Sequence, residues 1–169
     1  TDAAVNIAPD LETKADIARN AIDLCRALGL ERPKVAVLSA VETVTPKLPA
    51  TVEAAALAKM AERGQIEGGE VDGPLAFDNA IDPGAARAKR IGGVVAGNAD
   101  VLLVPDLEAG NMAAKQLQYL AGASMAGVVV GARVPVVLTS RADGPAARTA
   151  SAAVARLAAG MRLTAHGRG

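Results

Sequence analysis

The stretch VPVVLTSRAD, residues 134–143, runs an apolar segment into a hydroxyl, a guanidinium and a carboxylate: Ser140, Arg141 and Asp143. A guanidinium presents parallel donors in a fixed fork, which suits phosphate oxygens better than an ammonium does. If a helix starts just after these residues, its unpaired amides and positive end add to the attraction for an anion. Ser140 could then donate to an oxygen that gains charge, and Asp143, kept ionised by the guanidinium, could accept a proton. The same residues equally suit a turn in which Asp143 caps the helix and Ser140 and Arg141 face water. Asn111 and Lys115 stand four positions apart, so a helix places them on one face, either gripping a phosphate or serving as cap and surface charge. Covalent serine chemistry is disfavoured, because the sole histidine, His166, lies in what reads as a tail. Asp106 and Glu108 suit capping or hydration better than a metal, and no metal site is assigned.

The elements that must position these residues follow from the spacing of apolar side chains. Ile17, Ala21, Leu24, Cys25 and Leu28 recur at helical spacing before Gly29 and Pro33. KVAVLSA, residues 34–40, is apolar at nearly every position, as expected for a strand covered on both faces. Next comes a helix over PATVEAAALAKMAERG, for which Thr51 is the predicted cap. Residues 70–82 read as a strand and then a polar loop, 82–100 as a short helix and a glycine-rich passage, and ADVLLVPD as another buried strand. The glycine-rich IGGVVAGNAD precedes a strand where a dinucleotide loop must follow one, so it is not read as a phosphate cradle. LEAGNMAAKQLQYLAGA forms a helix with Asn111 as its predicted cap and Gly122 as terminator; RVPVVLTS is the last strand, Pro145 starts the last helix, and LTAHGRG is a frayed tail. Alternating strands and helices predict an α/β fold, a three-layer sandwich around a mainly parallel sheet. Ligands in such folds collect beyond the carboxyl ends of strands, where Ser39–Thr45, Asp106–Asn111 and Ser140–Asp143 all fall.

Composition narrows the function classes. The chain has 169 residues, 51 % of them apolar, but one Phe, one Tyr and no Trp, so its core must be built from aliphatic side chains. Eighteen basic and eighteen acidic side chains cancel, and with few aromatic platforms the chain is not expected to bind nucleic acid. A single cysteine, Cys25, excludes an intrachain disulfide and reads as a small hydrophobe in a reducing compartment. The richest apolar region, MAGVVVGARVPVVL, is broken by Arg133, so no membrane span is expected and the protein is read as cytoplasmic.

Four stretches in order, KVAVLSAVETVTPKLPATVEA, VDGPLAFDNAI, NADVLLVPDLEAGNMAAKQLQYLAGA and PVVLTSRAD, resemble the phosphate acetyltransferase and phosphate butyryltransferase family. The most specific part is VPDLEAGNMAAKQL. The chain is also similar to the acyltransferase region of bifunctional proteins that join an enoyl-CoA hydratase module to a phosphate acetyltransferase. The resemblance implies a metal-independent, usually homodimeric enzyme without a resident cofactor that exchanges an acetyl or butyryl group between coenzyme A and inorganic phosphate. It implies the two-domain fold of isocitrate and isopropylmalate dehydrogenases, with Ser140 and Arg141 at the reacting groups, Asp143 nearest the position of the family's aspartate, and Asn111 and Lys115 as phosphate contacts. Family members are longer, so the expectation is a C-terminal fragment lacking the front of the first domain. Residues 1–133 would form the second domain and 134–169 the strand and helix that return to the first. The alternative expectation is a non-catalytic coenzyme A-binding or dimerisation fragment of such an enzyme.

Overall fold

The computed structural model describes residues 1–166, with side chains through Gly160. Its first helix, α1 (Leu11–Ala27), starts where the Asp10 carboxylate accepts the Thr13 amide at 2.8 Å. Its buried stripe is Ala15, Ile17, Ala18, Ala21 and Ile22, which keeps two of the predicted positions. Leu28, expected on that stripe, lies beyond the last turn and is exposed, while Leu24 and Cys25 are half-buried.

Strand β1 (Lys34–Leu38) is the centre of a three-stranded parallel sheet of order β2-β1-β3, with β2 at Glu70–Leu75 and β3 at Val101–Leu103. Because successive strand side chains point to opposite faces, Val35 and Val37 meet α1 and Leu57 and Ala54 of α2 (Pro49–Glu62), whereas Ala36 and Leu38 meet the other face. That second face is closed by α3 (Phe77–Ile81), α4 (Pro83–Ala88), Val95 and Ala96 of the glycine-rich passage, and Val104. The architecture is therefore the expected α/β sandwich with a parallel sheet. The polar loop expected after β2 is instead the short helix α3, and Lys89 donates to its Asp78 carboxylate at 3.2 Å.

Two helix starts differ from expectation. Thr51 lies inside α2, where its hydroxyl bonds the Thr45 amide at 2.8 Å and a carbonyl of Thr45 or Leu48, stapling the loop that follows β1. The next helix, α5 (Leu107–Leu120), is capped by Asp106, which accepts the Ala109 amide at 2.8 Å, so Asn111 falls one turn inside it.

The last strand also departs from the reading. β5 (Val136–Val137) pairs antiparallel with β4 (Val128–Val129), in a two-stranded sheet separate from the parallel one. The final helix, α6 (Pro145–His166), begins at Pro145 as expected and carries the chain through part of the predicted tail; residues 167–169 of that tail lie outside the described residues. Among the described residues no helix is long and apolar enough to cross a membrane.

Candidate functional site

A cleft of about 340 Å³ collects residues from five places in the sequence: the loop 1–5, Leu24 of α1, helix α5, the segment 125–129 and the stretch after β5. From α5 it takes Asn111, Ala114, Lys115 and Gln118, the i, i+3, i+4, i+7 stripe of one helix face. From the turn it takes Ser140 and Asp143. Four of the five candidate residues thus share one cavity. The fifth, Arg141, is exposed on the turn beside Ser140 and is not among the residues that line the cleft. Lys115 is the one lysine or arginine side chain lining it among the described residues.

The turn is held by its own polar groups. The Asp143 carboxylate accepts the Ser140 amide at 2.6 Å, the Asp143 amide returns to the Ser140 carbonyl at 3.1 Å, and the Ser140 hydroxyl accepts the Ala142 amide at 3.3 Å. Asp143 therefore closes the turn one residue ahead of Gly144 and the helix start at Pro145, and Ser140 and Arg141 are exposed on it, as the turn alternative expects. Because the Ser140 oxygen is an acceptor here, its proton is available to a ligand in the cleft. The Asp143 carbonyl accepts from Arg148 Nε at 3.1 Å, which ties the turn to the first turns of α6.

The opposite ends of the site are equally constrained. Asp2 folds the leading loop around its carboxylate, which accepts the amides of Ala4, Val5 and Asn6 and the Asn6 side chain. Burial works to raise the Asp2 carboxyl, but those four donors outweigh it and hold it below the usual carboxylate range. Asn111 donates to the Ala3 carbonyl at 3.1 Å, docking the loop on α5. The two approach so closely at Gly110 that a Cβ there would lie 2.6 Å from the Asp2 carbonyl oxygen. Gly127 has a similar role on the far wall: a Cβ would meet the Leu138 carbonyl oxygen at 2.3 Å. Its amide donates to Ser151 Oγ at 2.9 Å, and that buried hydroxyl donates to the Ala147 carbonyl, fastening the 125–129 segment to α6.

Sequence reasoning missed Asp2, Gln118 and Met125 as cleft residues. The helical period that paired Asn111 with Lys115 extends to Gln118, so that one was within reach. Asp2 and Met125 arrive through tertiary packing and leave no local signal. The first polar cluster, Ser39–Thr45, does not join the cleft. Cys25 lines a neighbouring cavity; burial first, and the Asp100 carboxylate second, push its thiol up, so it is a poor nucleophile at neutral pH. No group of three or more His, Cys, Asp and Glu side chains suited to a metal occurs among the described residues.

A family model described as "Phosphate acetyl/butaryl transferase" matches residues 1–155. The chain belongs to this family. It is 66 % identical over 165 residues to a phosphate acetyltransferase of Rhizobium meliloti, covering 98 % of this chain and 52 % of that protein. To a phosphate butyryltransferase of Clostridium acetobutylicum it is 48 % identical over 162 residues, covering 96 % and 54 %. Among solved structures, a branched-chain phosphotransacylase from Enterococcus faecalis V583 superposes with a TM-score of 0.84 at 39 % identity, covering 94 % of this chain and 56 % of that one. The chain spans about half the length of the curated relatives it matches. The cleft gathers four of the five candidate residues, with Arg141 outside its lining.

Proposed function

We propose that this chain is part of a polypeptide about twice its length that exchanges an acetyl or butyryl group between coenzyme A and inorganic phosphate. The observation that carries the reading is the meeting of Asn111 and Lys115 with Ser140 and Asp143 in one cleft of a family member. Phosphate enters against the Lys115 ammonium, and Arg141, exposed beside Ser140, closes its guanidinium on the phosphate oxygens. A phosphate oxygen attacks the thioester carbonyl, the carbon–sulfur bond breaks, and coenzyme A leaves as thiolate. The Ser140 hydroxyl donates to the charge that develops on oxygen or sulfur. In the reverse direction Asp143 takes the thiol proton, needed because a thiol of pKa about 8.5 is mostly protonated at neutral pH. Substrates supply all the bonds exchanged, and no metal or resident cofactor is part of the reading.

In this proposal residues 1–133 are one domain, and 134–169 are the strand and helix that complete another, supplied by the remaining half of the polypeptide. The domain pair is of the isocitrate and isopropylmalate dehydrogenase type, working in the cytoplasm as a homodimer. The test is phosphate-dependent release of coenzyme A from acetyl-CoA and butyryl-CoA by the complete polypeptide. Ser140→Ala is expected to lower kcat about 10²- to 10³-fold. Near-normal turnover in that variant would remove the turn from the chemistry.

A further inference from the structure

Part of the cleft lining is apolar and is used neither by the core nor by the chemistry proposed above: Met125, Val128, Val129 and Leu138, together with Ala114 of α5. Met125 is half-buried and Leu138 is 39 % exposed, so these side chains border open volume and do not fill a packed interior. The wall is rigid where it meets the candidate catalytic turn. Leu138 donates its amide to the Gly127 carbonyl at 3.0 Å, Gly127 has no room for a side chain, and Ser140 follows Leu138 by two residues. An apolar surface thus stands at a fixed place beside the hydroxyl that would face the thioester. Similar proteins are named for acetyl, butyryl and branched-chain transfer, so the size of the acyl group varies across a conserved fold.

We infer that Met125 and Leu138 form the wall that gauges the acyl group of the thioester, with its hydrocarbon lying along them and its carbonyl at Ser140. This inference rests on the acyl-transfer reading. Methionine, unbranched and with rotatable bonds, sets the depth of the pocket, and truncating it makes room for longer chains. In a hydrophobic pocket, one methylene of fit or misfit changes specificity by about 10- to 200-fold.

The experiment measures kcat/KM of the complete polypeptide and its variants for acetyl-CoA, butyryl-CoA and isobutyryl-CoA at saturating phosphate. Met125→Ala is expected to raise the butyryl-to-acetyl ratio at least tenfold, and Met125→Phe to lower it by a similar factor. Leu138→Ala is expected to shift the isobutyryl-to-acetyl ratio upward. A ratio is independent of how much of each variant is folded, so loss of stability cannot imitate these shifts. An active polypeptide whose ratios ignore all three substitutions overturns the acyl wall and leaves the acyl-transfer reading standing. A wild-type polypeptide that releases no coenzyme A from any of the three thioesters overturns both.

Discussion

In the proposed reaction Lys115 and Arg141 divide the positive charge on phosphate differently, and that difference is measurable. Both side chains are exposed, but Lys115 lines the cleft as a compact point charge, while Arg141 sits on the turn next to Ser140 outside that lining. A residue that holds phosphate equally in ground and transition states changes KM, and one whose fork engages only as charge builds changes kcat. Lys115→Met, which keeps most of the apolar stem, is therefore expected to raise the KM for phosphate about tenfold with kcat within a few-fold. Arg141→Ala is expected to lower kcat about 10²-fold or more, and Arg141→Lys to recover little of it, since an ammonium cannot reproduce two parallel donors. Full recovery by lysine in steady-state kinetics would show that Arg141 acts only as a point charge. At this scale the sequence was legible wherever residues are near in the chain. The pairing of Asn111 with Lys115 followed from helical period, and that of Ser140 with Asp143 from proximity. Asp2, held against α5 by Asn111 and the close approach at Gly110, belongs to the same cleft across more than a hundred positions, and no local pattern announces such a contact.

At the scale of elements, what fixes the cleft is a short chain of hydrogen bonds through a residue outside it. Ser151, buried in α6, accepts the Gly127 amide and donates to the Ala147 carbonyl. Ser151→Ala leaves that partly buried amide without its acceptor, at a cost of about 1–3 kcal/mol read from urea unfolding. An unchanged unfolding midpoint would show that water replaces the hydroxyl. Strand β2 carries a second testable strain, at Asp72. Burial pushes its carboxyl up, only partly opposed by the Gly73 amide, so the fold favours the protonated form. The stabilising contribution of that form is complete below the ordinary carboxylate value and is lost as pH rises through the elevated folded value. Asp72→Asn is thus expected to raise Tm at pH 7, with the gain vanishing by about pH 3. Equal Tm differences at both pH values would contradict the assignment. The strands and helices that sequence revealed are those with a strong periodic signal. β1 is covered on both faces and reads as an unbroken apolar run, and Pro145 marks the start of α6. The misread boundaries have tertiary causes. Gly110 looks like a reason to begin α5 later, yet it is needed inside the helix where the leading loop crosses. The Asp and Asn of α3 look like turn formers, yet Lys89 and the packing of Ala80 hold them in a helical turn.

At the scale of the whole molecule the two ends of the structure differ in how their apolar surface is covered. The parallel sheet buries β1 between two clusters of aliphatic side chains. The segment beyond residue 133 does the reverse: Val134, Val136, Val137, Leu138 and Leu157 are 65 %, 49 %, 45 %, 39 % and 52 % exposed. A two-residue strand pair has little stability of its own, and a run of exposed aliphatic side chains is the signature of a surface that meets another. This chain matches only 52–54 % of the length of two relatives, and the longer polypeptide proposed above would supply a partner for that surface. If the remaining half of the polypeptide covers β5 and α6, local opening there must become rarer when it is present. Hydrogen exchange is therefore expected to show the amides of 128–137 exchanging through local opening in the 169-residue chain, while Val35–Val37 and Leu102–Leu103 wait for global unfolding. In the complete polypeptide the 128–137 amides are expected to slow by about 100-fold or more, which corresponds to at least ~2.7 kcal/mol of added local stability. Equal rates in the two proteins would mean that this apolar face is covered by nothing in its own chain. Residues 134–169 would then be an appendage of the domain described here, and the cleft at Ser140 would lie between parts of one domain.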